Sequence, residues 1–346
     1  MPGNILEVMA CPRGCAAALH NQETSDIVKY MKSDVIASNQ DLLKSIEGKK
    51  RELDALRPFP PEIVRKLNEQ FILEWTYNSN AIEGNTLSLQ ETELVINRGL
   101  TIGNKTLKEH FEAINHKDGI EYLYALIKKK KILDESAILE IHKLILKNIN
   151  DVEAGTYRKT NVMILGAVHL PPSAVKLPRL MQEFMEWYYS NKAKLSVIEL
   201  AAWVHYKLVY IHPFIDGNGR TARLLMNLIL ITHGYPPAVI LNVDRKKYYR
   251  VLKEADREKY GNYFDFIGRS VERSLMIYLN ALKSKNDAED AYGYINMNGA
   301  SKLCDYSLEY LSYLARTGRL SAIKIGRNWF TTREALLDYI AKVKKK

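Results

Sequence analysis

The sequence predicts a mostly α-helical protein with one small β-hairpin and a small C-terminal domain that combines helices with a second hairpin. Apolar residues recur at helical spacing from about residue 27 to residue 285. The stretch 160–170 departs from that spacing, because a short apolar run is divided by Gly166 and bounded by Pro171-Pro172. Between residues 319 and 330 apolar residues alternate across a glycine, which predicts the second hairpin.

Start and stop signals define individual helices within this pattern. Pro61 stands near the start of one apolar run, Ser88 and Glu91 form the sequence of a capping box, and Asp134 is a candidate N-cap. The run 196–210 places its apolar residues on one helical face. Gly234 marks the end of the helix that follows it.

These patterns divide the chain into four predicted regions. They are an irregular lead-in (1–34), an N-terminal helical region (35–110), a helical core (111–285) and a C-terminal domain (286–346). The lead-in has no strong periodicity, and residues 286–291 have the polar composition of a linker.

The composition is that of a globular protein without a membrane span. The chain has 346 residues, of which 47% are hydrophobic and 26% charged. Its apolar stretches are too short or too interrupted to cross a bilayer, and no basic segment precedes the small apolar residues near residue 15. The cysteines, Cys11, Cys15 and Cys304, match neither a disulfide framework nor a zinc site, so we expect reduced thiols and a cytoplasmic location.

One short motif concentrates the chemistry. Residues 212–220 read His-Pro-Phe-Ile-Asp-Gly-Asn-Gly-Arg, and Arg223 follows one helical turn later. His212 is a proton acceptor with an ordinary pKa near neutrality, and Asp216 is an oxygen ligand for a hard cation. Gly217-Asn218-Gly219 lets the backbone aim N–H groups at one point, directly before a helix N-terminus that favours phosphate. A base, a Mg²⁺ ligand and a phosphate cradle predict phosphoryl or nucleotidyl transfer.

The complete string resembles the Fic family signature, His-Pro-Phe-x-Asp/Glu-Gly-Asn-Gly-Arg, at every position, whereas a Gly-Asn-Gly step alone predicts only a turn. The resemblance covers about residues 35–280. It implies a Fic-type core that transfers AMP from ATP to a Ser, Thr or Tyr hydroxyl with Mg²⁺ and releases pyrophosphate. Its implied roles are a base at His212, a Mg²⁺ ligand at Asp216, and phosphate binding by Gly217, Asn218, Gly219, Arg220 and Arg223. Gly219 favours AMP transfer, because Doc-type kinases of the family carry lysine there.

The predicted hairpin at 160–170 also matches the family. In Fic proteins a hairpin at this place, called the flap, lies over the active site and holds the target's hydroxyl-bearing segment by strand addition. The sequence Gly155-Thr156-Tyr157-Arg158 before it and Pro171-Pro172 after it fit that placement. The expected partner is therefore a target protein. A simple connecting hairpin is the alternative, and homodimer formation is left open.

The sequence Ser79-Asn80-Ala81-Ile82-Glu83-Gly84 has two interpretations. By itself it is a helix end, with Gly84 or Asn85 in the left-handed conformation. It also resembles the Fic inhibitory motif, to which Ser79, Glu83 and Gly84 would belong. In that family the glutamate pairs with the second arginine, here Arg223, and blocks productive binding of the γ-phosphate. The resemblance implies autoinhibition by a helix on the N-terminal side of the core.

A further segment, Tyr248–Leu252, resembles the helix that lines the adenosine pocket of Fic proteins. The resemblance implies that Tyr249 contacts the nucleoside, whereas a tyrosine pair on a helix is otherwise ordinary core material. A family asparagine further along the helix is replaced here by Asp256.

The C-terminal domain is basic. The formal net charge is +10, and residues 291–346 hold ten Lys/Arg against four Asp/Glu, a net +6. Arg316–Leu320 and Ile323–Arg327 resemble winged helix-turn-helix domains of the excisionase and MerR type, which implies DNA as a partner, with protein docking as the alternative. Two functions are therefore considered: an autoinhibited protein adenylyltransferase, and a nucleotide-sensing DNA-binding regulator with weak or self-directed transfer. AMP removal, with Glu83 positioning water, is a further activity within the family.

Overall fold

The computed structural model describes residues 8–10, 39–131, 133–164, 169–283, 294–317, 319–320, 322–325 and 328–344. The chain divides into two compact units. The first comprises Met1–Lys50 and Arg65–Ser274, and the second comprises Arg51–Val64 and Leu275–Lys346. The predicted linker 286–291 lies outside the described residues.

Helices dominate the described chain up to residue 283, so the predicted fold class is confirmed. Their bounds are α1 (Gln40–Ala55), α2 (Pro61–Ile82), α3 (Leu89–Arg98), α4 (Leu107–Lys128), α5 (Glu135–Leu146), α6 (Leu177–Asn191), α7 (Val197–Ile211), α8 (Asn218–Thr232), α9 (Arg245–Ala255) and α10 (Gly261–Lys283). Short 3₁₀ turns at Ala174–Lys176 and Asn242–Asp244 precede α6 and α9. No helix in the described ranges is both long and apolar enough to cross a membrane.

The predicted helix starts are confirmed. Pro61 is the first residue of α2, and Asp134 caps α5 by accepting from the Ala137 N–H at 2.7 Å. Ser88 and Glu91 form a reciprocal capping box at α3. Such boxes satisfy N–H groups that have no partner inside the helix, which fixes where each helix begins.

The centre of the first unit is formed by the consecutive helices α7 and α8, which pack against each other. Nearly every residue of α7 from Ile198 to Leu208 is buried, and α8 is buried from Arg220 to Leu230. Helices α4 and α5 pack against α8. Gly119 permits this approach, because a Cβ there would lie 3.1 Å from Leu224 Cδ1. This packing holds α8, and with it the loop that joins α7 to α8.

The predicted irregular lead-in 1–34 contains one regular element. Val8–Ala10 forms strand β1 and pairs antiparallel with β2 (Val162–Ile164). A three-residue strand is too short to show a periodic pattern, and its partner is distant in the sequence. The strand β2 lies within the predicted hairpin 160–170, whose residues 165–168 lie outside the described part.

The second unit contains a three-stranded antiparallel sheet with the order β3-β5-β4, formed by β3 (Tyr294–Asn296), β4 (Ala322–Ile325) and β5 (Asn328–Thr332). Its helices are α11 (Met297–Ser301), α12 (Leu308–Arg316) and α13 (Arg333–Lys344). The predicted second hairpin is present as β4 and β5, whereas β3 was not predicted. The unit has its own small core: Met297, Ala300, Leu311, Leu314, Ala315, Leu320 and Leu336.

Candidate active site

His212 lies at the turn that ends α7. Its backbone is left-handed (φ 50°), and its N–H donates to the Leu208 carbonyl at 2.9 Å. The imidazole Nδ1 lies 3.3 Å from the Val209 carbonyl. Because a carbonyl only accepts, this contact assigns the proton to Nδ1 and leaves a lone pair on Nε2. Burial lowers the pKa of His212 to about 4, so the ring is neutral at physiological pH.

The loop after His212 is shaped by its own side chains. Asn218 Oδ1 accepts from the Phe214 N–H at 3.0 Å, and Asn218 Nδ2 donates to the Phe214 carbonyl at 2.9 Å. Gly217 has φ 76°, a left-handed conformation that glycine adopts without strain. A Cβ at Gly217 would lie 3.1 Å from Ile145 Cγ2. The loop leads directly into the N-terminus of α8, as predicted.

Asp216 is the half-exposed carboxylate of this loop. Its Oδ1 accepts from the Gly217 N–H at 2.6 Å and lies 3.4 Å from Arg220 Nη2, while Lys108 Nζ lies 4.0 Å from Oδ2. Burial opposes ionisation, but Arg220 and the Gly217 N–H outweigh it and lower the pKa of Asp216. The described residues contain no group of three or more acidic, histidine or cysteine side chains that could hold a metal ion. An ionised single carboxylate fits Mg²⁺, which commonly takes one or two protein carboxylates and completes its shell with phosphates and water.

Arg220 is held inside the helical core. It is 2% exposed, and its Nη1 lies 3.2 Å from Glu112 Oε1. Glu112, on α4, also accepts from Asn85 Nδ2 at 2.8 Å. Arg220 therefore joins the loop carboxylate Asp216 to a buried carboxylate on another helix, a contact that sequence analysis did not predict.

Arg223 is also 2% exposed, but it contacts the segment Ser79–Gly84. Its Nε donates to Ser79 Oγ at 3.0 Å, and its Nη2 donates to the Ser79 carbonyl at 2.8 Å and to Glu83 Oε1 at 2.7 Å. Burial disfavours the guanidinium charge, yet Glu83 beside it raises the pKa of Arg223. The structure thus brings Ser79, Glu83 and Arg223 together. Gly84, with φ 104°, turns the chain just after Glu83.

Gly219 lies directly beneath the Glu83 carboxylate. A Cβ at Gly219 would collide with Glu83 Oε1 and would come within 3.0 Å of Arg223 Nη1. A side chain at this position would therefore displace the Glu83 carboxylate from its contact with the first turn of α8. Glu83 occupies the space in front of the helix N-terminus where an anion is favoured.

Three buried guanidinium nitrogens near the start of α8 have no hydrogen-bond partner among the described residues. They are Arg223 Nη1 and Arg220 Nε and Nη1, the last of which pairs with Glu112 by distance but not by hydrogen-bond geometry. Buried donors without partners are costly, so oxygens of an anionic ligand would satisfy them. The cluster fits a phosphate chain.

Arg158 connects the His212 turn to β2. Its Nε donates to the His212 carbonyl at 2.8 Å, its Nη1 to the Thr160 carbonyl at 2.9 Å and its Nη2 to the Pro172 carbonyl at 2.5 Å. The Arg158 N–H also donates to the Pro213 carbonyl at 2.9 Å. One buried side chain thus fixes the His212 turn and both ends of the segment 160–172.

His142 supports the loop from α5, and no sequence motif indicated this role. The Gly155 N–H donates to its Nδ1 at 3.0 Å, which leaves Nε2–H to donate to the Asp216 carbonyl at 3.0 Å. Its ring stacks on Phe214 with centroids 3.6 Å apart. Burial lowers the pKa of His142 to about 4.

Tyr249 lies beside the end of α2. Its hydroxyl is 3.4 Å from the Ile82 carbonyl, to which Arg245 Nε also donates at 2.6 Å. Asp256 accepts from the Tyr206 hydroxyl at 3.2 Å, and burial raises its pKa to about 6. These contacts place Tyr249 next to the Glu83 turn. Its predicted contact with a nucleoside stays a prediction.

Comparisons with known proteins agree with this geometry. The profile of the Fic/DOC family matches residues 132–230. A Fic domain containing signaling protein from Bacteroides thetaiotaomicron superposes with a TM-score of 0.64 at 31% identity, over 70% of this chain and 98% of that chain. The chain belongs to the Fic/DOC family. Fic-1 from C. elegans superposes with a TM-score of 0.67 at 30% identity, over 76% of each chain.

Curated relatives extend the similarity beyond the profile. "Protein adenylyltransferase Fic" of Drosophila persimilis is 34% identical over 270 residues, which is 78% of this chain and 51% of that protein. The protein of the same name from Nematostella vectensis is 37% identical over 243 residues, which is 70% of this chain and 56% of that protein. The chain spans about half the length of the curated relatives it matches.

Proposed function

We propose that this Fic protein is an autoinhibited adenylyltransferase that transfers AMP from ATP to a Ser, Thr or Tyr hydroxyl of a target protein. The observation that carries the proposal is a neutral, buried His212 with a free Nε2 lone pair, directly before a phosphate-binding loop and two buried arginines. The names of the curated relatives support the same activity.

The proposed reaction is an in-line displacement at the α-phosphorus. His212 Nε2 takes the proton of the target hydroxyl as its oxygen bonds to phosphorus, and the bond to the departing pyrophosphate breaks. Backbone N–H groups at Gly217–Gly219 and the guanidinium groups of Arg220 and Arg223 stabilise the phosphate charge. Asp216 would hold Mg²⁺, which supplies further charge neutralisation when bound.

Autoinhibition is proposed from two contacts of Glu83. Its carboxylate pairs with Arg223 and lies against Gly219, so it takes both the guanidinium and the space that a terminal phosphate would use. ATP bound beside an ordered Glu83 would lack the Arg223 contact. The removal of AMP, with Glu83 orienting a water, is an alternative use of the same carboxylate.

His212→Ala tests the proposal. We expect AMP transfer to fall by ~10²–10⁴-fold, because a general base contributes about that much, while ATP affinity changes little. The measurement compares protein labelling by α-labelled and γ-labelled ATP in the Glu83→Gly background, with ATP affinity measured by calorimetry. Labelling from the γ-phosphate would identify a kinase instead, and undiminished α-labelling would remove His212 from the mechanism.

A second candidate function, nucleotide-responsive DNA binding, rests on the C-terminal charge. The net +6 of residues 291–346 accompanies two short helices, α11 and α12, and the β4–β5 hairpin. The side chains of 323–328 lie outside the described ones. The full chain should bind duplex DNA with a slope of log K against log salt of about −0.9 for each phosphate neutralised. Absence of binding at low salt would favour protein docking.

A further inference from the structure

The strand β2 is paired by a segment of its own chain. Val8 lies opposite Ile164, Met9 opposite Met163 and Ala10 opposite Val162 in an antiparallel register. A strand edge offers one row of N–H and C=O groups, and a partner strand consumes that row. A second extended segment cannot use the same edge while β1 is on it.

This edge belongs to a segment that is fixed beside the base. Arg158 links the Thr160 carbonyl, two residues before β2, to the His212 carbonyl. Beyond β2, His169 Nε2 lies 2.8 Å from the Tyr210 carbonyl, and its ring stacks on Tyr210 with centroids 3.6 Å apart. Val162 itself is 2% exposed. A peptide paired with β2 therefore passes close to the turn that carries His212.

The segment that makes the pairing has an unusual composition. Residues 1–23 contain no serine, threonine or tyrosine, so the first hydroxyl side chain of the chain is Thr24. Strand addition is mainly a backbone interaction, and side chains supply only the specificity. The segment can thus bind as a target segment would and still offer no hydroxyl to His212.

We propose that Val8–Ala10 is an intramolecular pseudosubstrate, which occupies the β2 edge and excludes the extended, hydroxyl-bearing segment of a target protein. The inference rests on the proposed function and adds a second control. Glu83 acts on the nucleotide through Arg223, whereas β1 acts on the protein substrate. Because β1 is tethered, a free peptide competes against a local concentration on the order of millimolar.

The test removes the pairing in the full chain and measures the exposed edge directly. The variant Val8→Pro/Met9→Pro is suited to this, because adjacent N–H groups point to opposite sides of a strand and proline removes both. Ala16→Pro/Ala17→Pro introduces the same residues outside the described strand and is the matched control. The probe is a fluorescein-labelled peptide with the sequence of residues 4–13, and binding is followed by anisotropy.

We expect the peptide to bind Val8→Pro/Met9→Pro at least ~10-fold more tightly than it binds the wild type or the control, because only the first has lost its tethered competitor. Adding Met163→Pro/Ile164→Pro should abolish that gain, with the thermal midpoint reporting that the fold persists. Equal affinity for all proteins, or no binding to any of them, would overturn the proposal. Neither readout needs AMP transfer, so an inactive enzyme leaves this result interpretable.

A second experiment tests the orientation of the segment at the base. Single serines are placed at positions 7 to 12 of the full chain in the Glu83→Gly background, and AMP attachment is mapped by mass spectrometry. One position, or two positions on the same strand face, should become labelled, because successive side chains alternate between faces. Labelling of Cys11 in the parent chain would show an acceptor rather than a pseudosubstrate. Unlabelled serines in an enzyme that still labels Thr or Tyr elsewhere would contradict the proposed path.

Discussion

Two buried arginines one helical turn apart hold two different kinds of carboxylate. Arg220 pairs with Glu112, which is 11% exposed by side chain and tied to Asn85 within the packed helices. Arg223 pairs with Glu83, which is 23% exposed and lies in the turn after α2. The first pair is part of the core, and the second lies beside Gly219 at the start of α8. The contrast shows that the function of an arginine–carboxylate pair depends on whether its carboxylate is fixed in the core or lies on a turn that can move away.

The largest expected effect is on the free energy of unfolding, which should distinguish the Arg220–Glu112 pair from the Arg223–Glu83 pair. Glu112→Gln should lower the free energy of unfolding by about 3 kcal/mol, because it leaves the Arg220 charge buried with only the half-exposed Asp216. Urea unfolding followed by circular dichroism measures the loss. ATP at 100 times its Kd should add only its ordinary binding contribution of about 2.7 kcal/mol.

Glu83→Gln is the matched variant. It should also destabilise the nucleotide-free protein, but ATP should recover more stability here than in the wild type, because phosphate oxygens replace the lost carboxylate at Arg223. If ATP raised the free energy of unfolding equally in Glu83→Gln and Glu112→Gln, the two pairs would not differ in function as inferred here.

A smaller effect concerns activity. Glu83→Gly should raise AMP transfer on the order of 10-fold, since it frees Arg223 and clears the space over Gly219, and a contact worth about 1.4 kcal/mol corresponds to that factor. The gain should be absent in an Arg223→Ala background, where the contact to be freed no longer exists. A gain that persists without Arg223 would mean that Glu83 blocks the site only by its volume.

The last effect is spread over more than two pH units and concerns His142, which supports the Asp216 loop. The folded pKa of His142, about 4, lies below the ordinary value of 6.5, so the unfolded chain binds this proton first. Stability should therefore fall as pH drops from 6.5 towards 4, by about 1.4 kcal/mol per pH unit for this residue. His142→Gln should reduce the slope of unfolding free energy against pH by that amount. An unchanged slope would show that His142 is protonated in the folded protein.

Local signals predicted the parts of the site that are continuous in sequence. Ser88 and Glu91, Asp134 and the His212 turn obey rules that act over a few residues, and each lies where it was predicted. Glu83 and Arg223 are far apart in the sequence, and only the family resemblance indicated that they pair. The partners that were missed, Glu112 and His142, have no local signature, because their roles arise from the packing of α4 and α5 on α8.

The same reasoning explains the short elements that were not predicted in the terminal regions. Strand β1 needs an edge that another part of the chain supplies, so no property of Val8–Ala10 alone could reveal it. The short helix α11 likewise ends at Ser301, where the Lys302 backbone N–H caps it. Short elements are decided by tertiary contacts more than by propensity.

Gly219 ties two parts of the molecule to one position. Its missing side chain leaves room for the Glu83 carboxylate against the first turn of α8, and a larger residue there would push that carboxylate away from Arg223. Under the proposed autoinhibition, a substitution at Gly219 would therefore act like a change at Glu83 itself and would loosen the restraint without altering either partner of the ion pair.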